Sequence, residues 1–225
     1  IFLNLISLSC GLSTIIDNGR IDKIAPERSK EWIDEVSEVV SHSLIKEPAD
    51  SSSENRYNEI RSLASDFQKK ANSESNKNVT DYQMVYGELG IQTLATILDA
   101  VGMREEGEHF LDIGSGDGAL VIGAALLYGS TYIKKSRGLE IIPGLISRSN
   151  RNLHNFYKMM NDEDREYDCI RSSEIEFLLG DVHDSKYDFT IREVLKDTTI
   201  AVCFATTWSA GNVDSKAKDT SLQQR

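Results

Sequence analysis

Positive charge is scarce in this chain: 25 Lys and Arg stand against 36 Asp and Glu over 225 residues, a net charge of −11. A surface of that sign argues against strong direct binding to nucleic acid or an anionic membrane, because the phosphate contacts behind such affinity need cations. It suits a basic protein partner instead. Cysteine is scarce too. Cys10, Cys169 and Cys203 lie far apart, their number is odd and no C-x-x-C occurs. That pattern argues against a disulfide framework or a zinc site and for a reducing, intracellular compartment, nucleus or cytoplasm. The four histidines, His42, His109, His154 and His183, are scattered and read as surface or core residues, so no metal centre is expected. No run approaches the ~18 apolar residues of a membrane-spanning helix.

What remains is an ordinary globular composition, 40% hydrophobic and 27% charged, in a chain long enough for one sizeable core or one core with a small helical appendage. Ile1 stands where an initiator Met is usual, so a fragment or processed product is expected. The apolar-rich residues 1–12 read as the end of a targeting segment or, preferably, as a short buried strand or helix.

Residues 27–46 carry Trp32, Ile33, Val36, Val39, Val40 and Leu44 at three- and four-residue spacing, which predicts an amphipathic helix. Pro48 and the serines 51–53 break it. A second helix fits 54–71, with Tyr57, Ile60, Leu63, Ala64 and Phe67 on one face. The polar stretch 72–80 reads as a loop, and a third helix fits 89–101. From residue 108 the texture becomes alternating: strands at 109–113, 136–142, 174–179 and 199–205, with helices expected at 118–128 and 143–160. Strands separated by helix-length segments imply right-handed crossovers and a parallel sheet. The expected fold is therefore α/β: a Rossmann-like sheet, truncated after about four parallel strands, behind an N-terminal helical layer. The divisions are 1–80 for the helical region, 81–212 for the ligand-binding unit and 213–225 for a polar tail. With so few residues after the fourth strand, that strand is expected to leave a bare sheet edge.

The most informative segment is 109–119, His-Phe-Leu-Asp-Ile-Gly-Ser-Gly-Asp-Gly-Ala. An apolar strand ends in Asp112, and Gly114, Gly116 and Gly118 alternate into a helix start. A turn with so little side chain lets a ligand touch backbone, where the N–H groups of the helix start face it. A dinucleotide fingerprint is met formally by Gly114, Gly116 and Ala119. Its ribose acid, however, belongs about 20 residues on, and the candidate, Glu140, lies 26 past Gly114; that spacing disfavours a nicotinamide oxidoreductase. Residues 110–118 resemble instead the first motif of the S-adenosylmethionine methyltransferases. That resemblance implies that Asp112 reaches the methionine ammonium, that Gly114 and Gly116 let the methionine part lie on backbone, that Glu140 accepts both ribose hydroxyls, and that Asp181, with Val182 beside it, accepts from the adenine amino group.

Val85-Tyr86-Gly87-Glu88 precedes a helix about twenty-five residues before Asp112. With Phe110-Leu-Asp-Ile-Gly-Ser-Gly116, Gly138-Leu-Glu-Ile141 and Gly180-Asp181, it resembles the disruptor-of-telomeric-silencing family, the histone-lysine methyltransferases without a SET domain. The resemblance covers roughly 80–212. It implies that Tyr86 and Glu88 close over S-adenosylmethionine and that the substrate is a protein, possibly a histone. Where that family has an N-N-F segment beside the transferring methyl, this chain reads Ala205-Thr206-Thr207-Trp208. Thr206, Thr207 and Trp208 are therefore the methyl-proximal candidates, and a member that binds cofactor without catalysing transfer is the alternative. No dedicated catalytic acid or base is expected.

Overall fold

The computed structural model describes residues 4–7, 25–44, 53–75, 89–104, 107–162, 173–182 and 185–204. Its centre is a sheet of parallel strands. These are β1 (Asn4–Ser7), β2 (Glu108–Ile113), β3 (Ile133–Glu140), β4 (Glu174–Leu179) and β5 (Ile200–Cys203), in the order β1-β5-β2-β3-β4. The helices are α1 (Lys30–Ser43), α2 (Ser53–Ser75), α3 (Ile91–Val101), α4 (Ala119–Tyr132), α5 (Pro143–Asp162) and α6 (Asp188–Asp197). No helix among the described residues is long and apolar enough to cross a membrane.

Consecutive residues of β2, Phe110 and Leu111, are both fully buried, because a parallel sheet is covered on both faces. Phe110 belongs to the large core beneath α1, α3, α4 and α5, while Leu111 packs with Leu139, Ala201 and Val194 of α6 on the other face. Helix α3 lies close on α4 at Gly123, where the Ile91 side chain takes the room a Cβ would fill. Helix α4 is kinked at Gly129 (φ 60°). Just before the kink, the Leu127 carbonyl accepts the indole N–H of Trp32 at 3.1 Å, which fastens α1 to α4. Helix α2 sits apart, on a small apolar cluster in which Ile60 and Ala64 meet Ile142 and Leu145.

The chain winds outward from β2 through β3 to β4, then crosses back to place β5 on the other side of β2. The carboxyl ends of β2 and β5 thus flank the switch point, where open α/β sheets bind ligands.

The expected α/β sheet with helices before it is present, with four corrections. The edge beside the predicted fourth strand is not bare, because β1 pairs with β5 in parallel, Asn4 opposite Ile200; of the two readings of residues 1–12, the short strand is the one found at Asn4–Ser7. Strand β3 starts at Ile133, three residues before its expected start, because α4 runs straight into it without a loop. It ends at Glu140, whose own carboxylate binds the N–H groups of Ile141 and Ile142 and so stops the ladder. Helix α2 continues to Ser75, into the stretch expected to be loop. Helix α6 between β4 and β5 had no explicit expectation beyond a crossover.

Candidate functional site

The chain leaves β2 at Ile113 and turns tightly: the N–H groups of Gly114 and Ser115 both donate to the Leu139 carbonyl, at 2.8 and 3.2 Å. The turn therefore rests on the end of β3. Gly114, at φ +84°, has open space where a Cβ would stand. Gly118, at φ +89°, is also packed: a Cβ there would come within 2.5 Å of the Phe177 ring and 3.0 Å of Ser149. The first glycine thus leaves room and the last fills it, as a cradle that must stay open on one side and rigid on the other requires.

Glu140 is the second element. Its Oε2 accepts the Gly116 N–H at 2.9 Å, and its Oε1 accepts the N–H groups of Ile141 and Ile142 at 2.8 and 2.9 Å. Burial raises its pKa, and the three amide bonds work in the opposite direction. An ionised carboxylate has about four acceptor positions; three are used here by backbone N–H groups. Asp112 is the third element, buried at the end of β2. Burial, followed by the charge of Glu140, pushes its carboxyl up to about 7. Burial and the Asp112 charge together push the Cys203 thiol up to about 11.

Between these residues and the helices lies a cleft of about 180 Å³. Asp112, Gly114, Ser115, Gly116 and Asp117 of the turn line it, with Phe204 just after β5. Val40 of α1, Leu44 just after it, Leu89 to Gln92 at the start of α3, and Arg56 of α2 line it as well. Of the expected site residues, Asp112, Gly114 and Gly116 therefore share one cleft. Glu140 joins them through the Gly116 bond. Asp181 and Val182 follow β4, whose end is tied to β3 by the Gly180 N–H on the Glu140 carbonyl at 3.0 Å; they do not line the cleft, and Val182 is exposed. Tyr86, Glu88, Thr206, Thr207 and Trp208 lie outside the described residues.

Asp117 was missed by sequence reasoning. It reads as a spacer between two glycines, yet it is fully buried. Arg56 grips its carboxylate with two bonds, Nε to Oδ2 at 2.8 Å and Nη2 to Oδ1 at 2.9 Å. Arg148 of α5 approaches the same carboxylate at 3.7 Å and pairs with Glu59 of α2. Asn152 donates to the Asp117 carbonyl at 2.8 Å. A signal for this network exists in α5, where Arg148 sits on the buried stripe that runs from Leu145 through Ser149 and Asn152 to Phe156. A buried cation calls for an acid.

A second charged group, at the opposite end of the sheet, is structural. Asp197 at the end of α6 meets Arg137 and Lys135 of β3 and His109 of β2. Burial acts against its ionisation, but these neighbours, Arg137 foremost, hold its pKa below the ordinary value.

A parallel α/β sheet with a glycine turn and strand-end acids at its switch point defines a Rossmann-like protein of the methyltransferase type. A family model described as histone methylation protein DOT1 matches residues 67–201, more than half of the chain, and the chain belongs to that family. No curated protein matches it.

Proposed function

We propose that this chain is an S-adenosylmethionine-dependent protein-lysine methyltransferase acting on a histone. The observation that carries the reading is the bond from Gly116 to Glu140 with Asp112 buried beside it. It joins the glycine turn to the end of the neighbouring strand and leaves an acid at each of two successive strand ends. The third, Asp181, follows on the next strand. The residues fit the cofactor: an open backbone at Gly114, a carboxylate for an ammonium at Asp112, a remaining acceptor position on Glu140 for a ribose hydroxyl, and Asp181 with Val182 for adenine. Tyr86 and Glu88 are assigned to cover it, and residues 81–212 to form the ligand-binding unit behind the helices of 1–80.

The bound sulfonium supplies an activated methyl group. The protein's part is to hold a nucleophile in line with it, a proximity effect. A lysine must arrive neutral, against a reference pKa of about 10.4, and an apolar channel favours the neutral amine by desolvation. Thr206, Thr207 and Trp208 are assigned to that channel, and water takes the proton. A histone substrate sets the protein in the nucleus, and the chain's negative charge suits so basic a partner.

The segment Ala205-Thr206-Thr207-Trp208, in place of N-N-F, favours a second reading: a member that binds cofactor without transferring methyl. Calorimetry with S-adenosylmethionine and with NAD, followed by transfer of labelled methyl to purified histones, separates the cases. Binding with transfer to lysine supports the enzyme, and binding without transfer supports the second reading. Heat with NAD alone overturns both.

A further inference from the structure

Helix α2 touches the rest of the molecule sparingly, yet it sends Arg56 into the cleft. Arg56 is the one cation among the described residues that line it. Its guanidinium is fixed in place by the paired bonds to Asp117, and Asp117 is itself part of the glycine turn. The arginine is therefore preorganised, so little side-chain freedom remains to be lost when a ligand arrives. The same cleft is lined by the start of α3, whose N-cap, Gly90, offers no side-chain cap to the first N–H groups of the helix. The buried acid Asp112 lines the same cleft. The cleft thus holds a buried acid, Asp112, together with a fixed cation and the uncapped amides of a helix start. That is the electrostatic complement of an α-amino acid, whose ammonium and carboxylate are both charged.

We propose that Arg56 is a cofactor-binding residue that receives the carboxylate of the methionine end, supported by the N-terminal amides of α3. The assignment rests on the reading of the cleft as an S-adenosylmethionine site and adds α2 to it. Arg56 lies ahead of the segment 67–201 matched by the family model, so this contact belongs to a part of the chain outside that match. The Arg56–Asp117 pair then has two consequences. It fixes Arg56 against the glycine turn, and it couples the docking of α2 to occupancy of the cleft.

The test is calorimetric titration of the full chain with S-adenosylhomocysteine and with its decarboxylated analogue, which keeps the ammonium and the adenosine. The wild-type chain is expected to bind the carboxylate-bearing ligand at least about tenfold more tightly, the scale of one charge-assisted hydrogen bond. Arg56→Gln lowers that affinity by about tenfold or more and leaves the analogue within about twofold. Arg56→Lys, which keeps the charge but not the fork, loses less, and only on the carboxylate-bearing ligand. Equal losses on both ligands would make Arg56 an anchor for α2 alone and overturn the proposal. So would a wild-type chain that binds both ligands equally, a result that does not depend on how any variant folds. A wild-type chain that binds neither ligand overturns the S-adenosylmethionine reading itself, and the assignment of Arg56 with it.

Discussion

The Gly116 N–H and the Glu140 carboxylate are joined by a 2.9 Å hydrogen bond that ties the glycine turn after β2 to the end of β3. The same carboxylate holds the N–H groups of Ile141 and Ile142, so one side chain ends a strand, opens the way into α5 and fixes the ligand turn. A stability role and a binding role therefore overlap on Glu140, and substitutions must be read for both.

Glu140→Gln tests that overlap. A glutamine oxygen serves one side of the arrangement, but its NH₂ then faces an N–H donor on the other. The orphaned amides are expected to destabilise the fold by about 1–3 kcal/mol, measured by urea unfolding. Affinity for S-adenosylhomocysteine is expected to fall by about tenfold or more. Unchanged affinity in a folded variant would take the ribose away from Glu140.

The glycines of the turn separate folding from binding. Gly118→Ala forces a left-handed alanine and drives its methyl into Phe177 and Ser149, with an expected loss of about 2–4 kcal/mol. Gly114→Ala meets nothing within 4 Å and bears only the backbone penalty of about 1–2 kcal/mol. Its methyl stands in the cleft that Gly114 lines. The larger drop in melting temperature is therefore expected for Gly118→Ala, and the larger loss of ligand affinity relative to stability for Gly114→Ala. The reverse order would mean that the ligand does not lie on Gly114.

Periodicity carried the helices of the large core, because Val36, Val39 and Val40 of α1 and Leu94 and Leu98 of α3 recur on one face and are all buried. The glycine turn was legible for a different reason: alternate glycines after an apolar strand have few other uses. What stayed hidden was pairing at a distance. Nothing local in Arg56 announces Asp117, 61 residues on, and nothing in residues 4–7 announces a partner near residue 200. The start of β3 was misjudged because Lys134 and Lys135 look like loop. In the fold, Lys135 is supported by Glu174 and Asp197, so tertiary charge pairing overrides local polarity.

Asp117→Asn probes the buried charge network. Asp117 is fully buried between Arg56 and the wholly buried Arg148. An amide neutralises the acid and leaves two guanidinium groups without it. Breaking a buried pair from one side is expected to destabilise by about 3–5 kcal/mol, far more than an exposed pair such as Lys30–Asp34. Chemical denaturation of the variant beside Asp34→Asn makes the comparison. Similar small losses in both would mean that the network contributes little to the fold.

Asp112 gives the chain a pH dependence of definite sign. Its carboxyl is raised to about 7 in the fold, by burial and then by Glu140, against about 3.9 in an unfolded chain. Below about pH 4 both states are protonated and the acid makes no difference. Between about 4 and 7 the unfolded chain releases the proton while the folded one keeps it, so stability falls as pH rises. Above about 7 the full difference, on the order of 4 kcal/mol, is set against the fold. Asp112→Asn removes that penalty. The ligand-free variant is expected to be more stable than wild type at pH 8 and nearly equal to it at pH 4, measured by thermal unfolding. Binding runs the other way, because an ammonium favours the ionised carboxylate. Affinity for S-adenosylhomocysteine is expected to rise between about pH 5.5 and 7.5, approaching tenfold per unit below the Asp112 pKa, with a proton released on binding that appears as buffer-dependent heat. In Asp112→Asn the affinity is weaker and flat over that range. A wild-type affinity that stays flat from pH 5.5 to 7.5 would place the ammonium away from Asp112.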